Sequence, residues 1–340
     1  MSQNKPIAVL ISDIHYNINT LEVADEALRM AISEANKLGV PVIIAGDLHD
    51  TKANMRAECV SAILNTMRTC LYHAIIIRGN HDSIHEKSKR HSLEFLEGHA
   101  DIIDSDPIIS YYIDNIVLIP YWSNVSELKD FFASSKLSSI MNNYIFIMHQ
   151  GVVGSYAGDY IQDRSALMKE DLPGFRIISG HYHRRQTIDL PEGGKLDYIG
   201  NPFTLSFAEA NDPEKGFQVL HEDGSLTFVP TNLRRHKILE LTTDCMGGAN
   251  WNIKDDDILW VKVSGTSAEL SKINKKSITE NLRIKQDFKL DLIPTDLDNL
   301  KPIEYTNQSN DELLDQIIDS LNVPAGKKTK LKSTWKDFSE

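Results

Sequence analysis

Five short clusters of metal-binding side chains punctuate the first half of the chain. They read Asp13-Ile14-His15, Gly46-Asp47-Leu48-His49-Asp50, Gly79-Asn80-His81-Asp82, His149 and Gly180-His181-Tyr182-His183. Any one of them alone says little. An Asp-x-His arises by chance, and Gly-Asp is usually a turn. A lone histidine is more often a satisfied core or surface residue than a ligand. A His-x-His pair can simply be two residues on one face of a strand. The conjunction is different. All five lie within the first 183 residues, and each follows an aliphatic, β-branched run: IAVLIS, PVIIA, AIIIR, YIFIM and FRIIS. Imidazole and oxygen donors delivered from several strand ends suit two divalent cations. Two such ions side by side are a device for cleaving phosphoesters.

The elements that carry these clusters can be read from periodicity. Leu21, Ala24, Leu28, Ala31, Ile32 and Ala35 recur at helical spacing, which predicts a helix over Leu21–Leu38. Val60, Ile63, Leu64 and Met67 predict another over Cys59–Leu71. Such strand–helix alternation implies a largely parallel sheet with helices outside. From Asp101 to Pro230 strands dominate, as IVLIPYW, YIFIMHQ, FRIISG, KLDYIGN, GFQVLH and SLTFVP. The pattern fits two stacked sheets flanked by helices. The clusters would then occupy loops at strand C-termini, where α/β sheets place their sites.

Bulk properties narrow the class. The 340 residues suffice for one large α/β domain and a smaller unit. No run of about 18 apolar residues occurs, so no membrane span is expected. The start, MSQNKPIAVLISD, enters a strand directly and lacks the basic and apolar segments of a signal peptide. Cys59, Cys70 and Cys245 are scattered and have no metal spacing. They read as reduced thiols of a cytoplasmic protein. The net charge is −12, and it is concentrated in residues 1–230, where 30 acidic residues face 19 basic ones. Metal ligands account for some of that excess. Binding nucleic acid needs Lys and Arg, so a partner or the C-terminal region would supply much of any such affinity.

Beyond residue 235 the pattern changes. Residues 236–289 offer a strand (KILELT), a strand (ILWVKVS), a helix (Ala268 to Asn274) and a strand (NLRIKQDF), which suggests a small separate α/β unit. Residues 290–308 carry two prolines and little periodicity and read as a linker. Ser309 then has the character of an N-cap. Leu313, Leu314, Ile317, Ile318 and Leu321 form an apolar stripe on the helix it would start. The chain closes on a lysine-rich tail around Leu331, Trp335 and Phe338.

In their order, the five clusters resemble the calcineurin-like metallophosphoesterases. Within that superfamily the chain is most similar to SbcD-type DNA repair and recombination nucleases, in a short version like those encoded by bacteriophages. The likeness covers roughly residues 7–230. It includes Asp197-Tyr-Ile-Gly-Asn-Pro-Phe, Glu209 and Lys215-Gly216-Phe217, a segment like the one that closes the nuclease domain of this subfamily.

The resemblance implies an α/β fold of two stacked mixed β-sheets flanked by helices, an α/β/β/α sandwich. A small C-terminal α/β capping domain and a C-terminal helix would follow. Residues 1–235 would be the nuclease domain, 236–289 the capping, DNA-holding domain, 290–308 the linker, and 309–340 the partner-binding helix and tail. The resemblance also implies two divalent ions, with Mn²⁺ the family's metal. Asp13, His15 and His183 would bind one ion, Asn80, His149 and His181 the other, and Asp47 would bridge them. His81 would be the general acid, oriented by Asp82. Two departures stand out. Asp50 occupies a position where many SbcD-like nucleases carry histidine, and Arg78 precedes Gly-Asn-His-Asp as it does in serine/threonine phosphatases. The implied partners are DNA, an SbcC-like coiled-coil ATPase subunit and, optionally, a second copy of the chain. Two alternatives remain open at this point: a small-molecule phosphodiesterase or phosphatase of the same superfamily, and an inactive scaffold that recruits an ATPase.

Overall fold

A computed structural model describes residues 4–51, 54–85, 90–134, 144–156, 167–172, 174–245, 252–296, 318–319 and 326–332. The chain divides into two compact units. Residues 1–239, 251–260 and 285–289 form the first, and residues 240–250, 261–284 and 290–340 the second.

The first unit is built on two six-stranded mixed sheets. One runs β12-β11-β1-β2-β3-β4, from strands β1 (Pro6–Ile11), β2 (Val42–Ile44), β3 (Ala74–Ile77), β4 (Asp101–Ile103), β11 (Gly216–His221) and β12 (Leu226–Pro230). The other runs β5-β6-β7-β8-β10-β9, from β5 (Ile108–Ile109), β6 (Ile116–Ile119), β7 (Ile145–His149), β8 (Arg176–Gly180), β9 (Gln186–Asp189) and β10 (Lys195–Tyr198). Both have parallel centres. β1, β2, β3 and β4 pair in parallel, as do β6, β7, β8 and β10. The antiparallel pairs lie further out, β1 with β11 and β11 with β12 in one sheet, β5 with β6 and β9 with β10 in the other.

Alternation along the strands sets the layers. Ala8 and Leu10, Ile43 and Ala45, and Ile75 and Ile77 share one buried cluster with Ile116, Leu118, Ile145, Ile147 and Ile178 of the second sheet. The two sheets therefore stack face to face. The opposite face of the first sheet, with Val9, Ile11, Val42, Ile44 and Ile76, packs on α1 (Leu21–Leu38) and α2 (Ala57–Met67) through Ala24, Leu28, Ile32, Cys59 and Ile63. The outer face of the second sheet, with Phe146, Met148 and Ile177, packs on Leu128 and Phe132 of α3 (Val125–Ala133). The result is the expected α/β/β/α sandwich. Helix α1 has its predicted limits, and Gly39 closes it in a left-handed conformation, φ 71°. Helix α3 has only two buried residues, which left too weak a stripe to foresee.

Further along lies a three-stranded sheet, β13-β14-β15, from β13 (His236–Thr242), β14 (Ile258–Gly265) and β15 (Phe288–Pro294). Two short helices, Ser267–Leu270 and Lys275–Leu282, separate β14 from β15. The strand expected over NLRIKQDF is displaced. Asn274 caps the second helix by accepting from Ser277 N–H (2.9 Å), and the helix runs on until Arg283 turns left-handed, φ 54°. The strand begins only at Phe288 and continues through Pro294, into residues read as linker. The rest of that linker, 297–308, and most of the predicted helix 309–321 lie outside the described residues. Residues 318–319 are helical and Ile318 is buried within the chain. Residues 326–332, expected as tail, are helical. No helix among the described residues is long and apolar enough to cross a membrane.

Candidate metal centre

All five clusters sit at the C-terminal ends of central parallel strands. β1 leads to Asp13 and His15, β2 to Asp47, β3 to Asn80 and His81, β7 ends on His149, and β8 leads to His181 and His183. Backbone pairing carries on past the strands. Asp13 N–H donates to Gly46 O (3.1 Å), His15 N–H to Asp47 O (3.1 Å) and Tyr16 N–H to Leu48 O (2.9 Å). Ile14 and Leu48, between the polar residues, are fully buried and anchor both loops.

Four candidate ligands adopt left-handed backbone: Asp13 (φ 54°), His15 (50°), Asp47 (52°) and His181 (88°). Each such residue costs about 1–2 kcal/mol relative to ordinary backbone. Strain of this kind gathers where side chains must be aimed at a common point. The glycines of the motifs have a matching cause. A Cβ on Gly46, itself at φ 92°, would lie 2.1 Å from His149 Nδ1, and one on Gly79 would lie 2.1 Å from Asp47 Oδ1.

The nine predicted site residues are brought together. Asp13, His15 and His183 can offer donor atoms all within 4.8 Å of one another, and the Nε2 atoms of the two histidines are 3.1 Å apart. On the other side, Asn80 Oδ1 lies 3.0 Å from His149 Nε2 and 2.9 Å from His181 Nδ1. Asp47 stands between these groups, its Oδ2 3.7 Å from His15 Nε2 and 3.4 Å from His149 Nε2. The His15 and His81 rings meet edge-on, with centroids 4.8 Å apart.

Ring orientation is fixed from behind. His149 Nδ1 faces the Ala45 carbonyl oxygen at 2.7 Å. A carbonyl only accepts, so Nδ1 carries a proton and Nε2 is the atom aimed at Asp47 and Asn80, its own proton being the one that a metal would displace. Burial works against charge on His149, yet the attraction of Asp47 and then Asp13 raises its pKa to about 9. The centre therefore favours positive charge. The Asp47 carboxyl is driven up by burial but held well below the usual carboxylate range by His149, His15 and His81. His181, desolvated and beside His149, is depressed to about 4. Two buried carboxylates, an amide oxygen and imidazoles without a thiolate form a donor set that suits hard to borderline divalent cations.

The expected orientation of His81 by Asp82 is corrected by the structure. His81 Nδ1 instead faces the carbonyl oxygen of Asp50 at 2.7 Å. The fully buried Asp82 carboxylate accepts three backbone N–H groups, from Asp47 (3.0 Å), His49 (3.1 Å) and Gly79 (2.8 Å). It ties the β2 and β3 loops together. Burial, and then repulsion from Asp47, lift its pKa to about 6.

The side chain of Asp50, the departure from the family pattern, has two contacts here. Its carboxylate lies 3.4 Å from His15 Nδ1 and accepts from Asn17 Nδ2 (3.1 Å). His49, fully buried beside Phe95, does not point into the centre. Arg78 braces the β3 loop, donating to Ser83 Oγ (3.0 Å) and to the Tyr121 carbonyl (2.9 Å). Two contributors escaped sequence reasoning, Asp50 behind His15 and Glu209 behind His183. Glu209 Oε1 is 2.8 Å from His183 Nδ1. Burial alone would raise its pKa, but His183, Lys215 and Asn201 hold it down at about 2. Its place in the segment ending at Lys215-Gly216-Phe217 was the available signal.

A two-sheet α/β sandwich with oxygen and imidazole donors converging at its strand ends is the architecture of a metal-dependent phosphoester hydrolase. The chain belongs to the calcineurin-like phosphoesterase family, whose model matches residues 8–214. Members of this family bind divalent metals, and the donor groups above are of the kind that holds them. The chain is 25% identical over 224 residues to exonuclease subunit 1 of Enterobacteria phage T4. That alignment covers 62% of this chain and 62% of the phage protein, less than two thirds of its length. Among solved structures it is similar to a dimetal phosphatase from Danio rerio. The identity there is 12% and the TM-score 0.42, over 64% of this chain and 93% of that one.

Proposed function

We propose that this phosphoesterase is a metal-dependent DNA nuclease, the hydrolytic subunit of a repair or recombination complex. The observation that carries the reading is Asp47, flanked on one side by the Asp13, His15 and His183 donors and on the other by Asn80, His149 and His181. One carboxylate between two donor groups is what a pair of ions needs to offset their mutual repulsion at about 3.5–4 Å. The likeness to a phage exonuclease subunit directs the reading towards DNA. The mixed N/O donor set without thiolate fits Mn²⁺.

Asp13, His15 and His183 would hold one ion, Asn80, His149 and His181 the other, and Asp47 both. When bound, the ions polarise the phosphoryl oxygens and lower the pKa of the attacking water. His81 does the protein's own acid work. Its Nδ1–H is committed to the Asp50 carbonyl, so the proton it can give up is the one on Nε2. That proton passes to the departing sugar oxygen. Asp82 contributes rigidity, keeping the loops of Asp47 and Asn80 in register.

A coiled-coil ATPase is the proposed partner. The net charge of −12 leaves DNA affinity to be supplied from elsewhere, and the sequence stripe from Leu313 to Leu321 supports a docking segment. Ile318 is buried within the chain, and Leu314, four residues before it on the same stripe, is the position tested for docking. The deciding experiment for the activity assays purified full-length chain with Mn²⁺, Mg²⁺ or EDTA on linear DNA and on bis-nitrophenyl phosphate. Mn²⁺-dependent cleavage of both is the expected result. Cleavage of the small ester with DNA untouched would refute the nuclease reading. Cleavage of neither would refute the phosphodiesterase mechanism.

A further inference from the structure

Behind His183 lies a buried polar cluster that the hydrolytic mechanism does not use. Glu209 ends a short 3₁₀ turn, Phe207–Glu209. Its Oε1 faces His183 Nδ1 at 2.8 Å. Its Oε2 accepts from Asn201 Nδ2 (2.9 Å) and Leu205 N–H (3.1 Å), and Lys215 Nζ lies 3.3 Å away. Lys215 is itself held by Asp212 Oδ2 (2.6 Å), Asn201 Oδ1 (2.5 Å) and the His183 carbonyl (2.9 Å). Asn201, Glu209, Asp212 and Lys215 are all at most 7% exposed.

We propose that Glu209 is a positioning residue that fixes the tautomer and aim of His183, so that the Nε2 lone pair faces the metal. This rests on the two-metal reading above. An ionised carboxylate has no proton to give, so the proton between it and His183 must sit on Nδ1. Nε2 is then free to ligate, and it is Nε2 that meets His15 Nε2 at 3.1 Å. The cradle makes the arrangement one-sided. Oε2 faces three donors, so Glu209 cannot be replaced by an amide without loss. In Glu209→Gln the amide oxygen turns towards Asn201, Leu205 and Lys215. The amide NH₂ then faces His183 Nδ1, which becomes an acceptor. The imidazole proton moves to Nε2 and blocks ligation, although size and shape are unchanged.

The argument also specifies a rescue. Asn201→Asp places an acceptor where Asn201 Nδ2 donated. The glutamine NH₂ of Glu209→Gln can turn towards it, its oxygen can face His183 again, and the cradle regains its negative charge, although the Leu205 N–H loses its acceptor. Lys215 keeps its contacts to Asp212 and to position 201.

The test is Mn²⁺ binding to EDTA-stripped, dialysed full-length chain by isothermal titration calorimetry, with thermal unfolding in EDTA run in parallel. Wild type should bind two ions. Glu209→Gln should lose about 10–100-fold in affinity at one site, the usual effect of removing a carboxylate from behind a metal-bound histidine. Its metal-free unfolding should stay close to wild type. Asn201→Asp in the Glu209→Gln background should recover part of the lost affinity. Wild-type affinity at both sites in folded Glu209→Gln would overturn the proposal. So would a double variant that folds but stays one ion short, and that comparison decides the matter even where Glu209→Gln alone is too unstable to titrate. A wild-type chain that binds no Mn²⁺ would remove the two-metal reading, and the positioning role with it.

Discussion

Asp82→Asn separates two roles that the sequence runs together. If Asp82 oriented His81, the substitution would act on proton transfer. The structure instead gives its carboxylate three backbone N–H groups, Asp47 and Gly79 on Oδ2 and His49 on Oδ1. An asparagine has one acceptor oxygen. With that oxygen kept towards Asp47 and Gly79, its NH₂ faces the N–H of His49, leaving a buried donor without a partner. A lost hydrogen bond to a charged group is worth about 1.5–3 kcal/mol, and an unpaired buried donor falls in a similar range. Relief of the buried charge and of the repulsion from Asp47, which together raise the pKa of Asp82 to about 6, offsets part of this. The expected destabilisation is about 1.5–3 kcal/mol. For domains of about 150–250 residues that lowers the unfolding temperature by roughly 3–12 °C. Thermal unfolding of the metal-free chain measures it, since no ion then contributes. Turnover by metal-saturated Asp82→Asn should fall far less than in a variant lacking His81. An unchanged unfolding temperature with a His81-sized loss of turnover would refute the loop-tying role and restore the orienting one.

Four other outcomes follow from the same geometry. Asp47→Ala should abolish hydrolysis and weaken both metal positions, measured as bound metal per chain; two retained ions with normal turnover would contradict its place between the donor groups. His81→Ala should keep its metal and lose about 10²–10⁴-fold in turnover on DNA, the range for a general acid, with a smaller loss on a nitrophenyl ester, whose leaving group needs little protonation. Gly46→Ala should displace the His149 ring, because its Cβ would lie 2.1 Å from Nδ1, and metal affinity at the Asn80–His149–His181 group should drop; an unaffected metal titration would mean that the loop relaxes freely. Leu314→Asp should abolish co-purification with a coiled-coil ATPase while leaving Mn²⁺-dependent cleavage of small phosphodiesters intact, and retained co-purification would move the docking surface elsewhere.

The legible parts of the fold were those where one short-range rule dominates. α1 shows its stripe over eighteen residues and ends on a glycine, so both limits could be read. The central strands are buried on both faces and read as continuous aliphatic runs. What failed did so for local reasons. Lys275–Leu282 has a single buried residue, Ile278, and is started by the Asn274 cap rather than by a stripe. Its amphipathic signal was therefore weaker than the strand-like NLRIKQDF that follows. β15 has a single buried residue, Phe288, and leaves Leu292 and Ile293 exposed, so it shows no strand alternation, and its terminal proline reads as the punctuation of a linker.

The candidate site divides along a physical line. Residues aimed at the centre were visible because each must be a donor type and must leave a strand end, two conditions that sequence states directly. The residues that aim them were not, because their partners are set by tertiary approach. Glu209 reaches His183 across 26 positions and Asp82 reaches Asp47 across 35. Asp82 shows the consequence. Its adjacency to His81 suggested a partnership, but consecutive residues point in different directions, and its carboxylate turned into the protein while His81 took the carbonyl of Asp50. That carbonyl is available whatever side chain position 50 carries. The departure from histidine there therefore leaves the hold on His81 intact, and changes instead what stands behind His15.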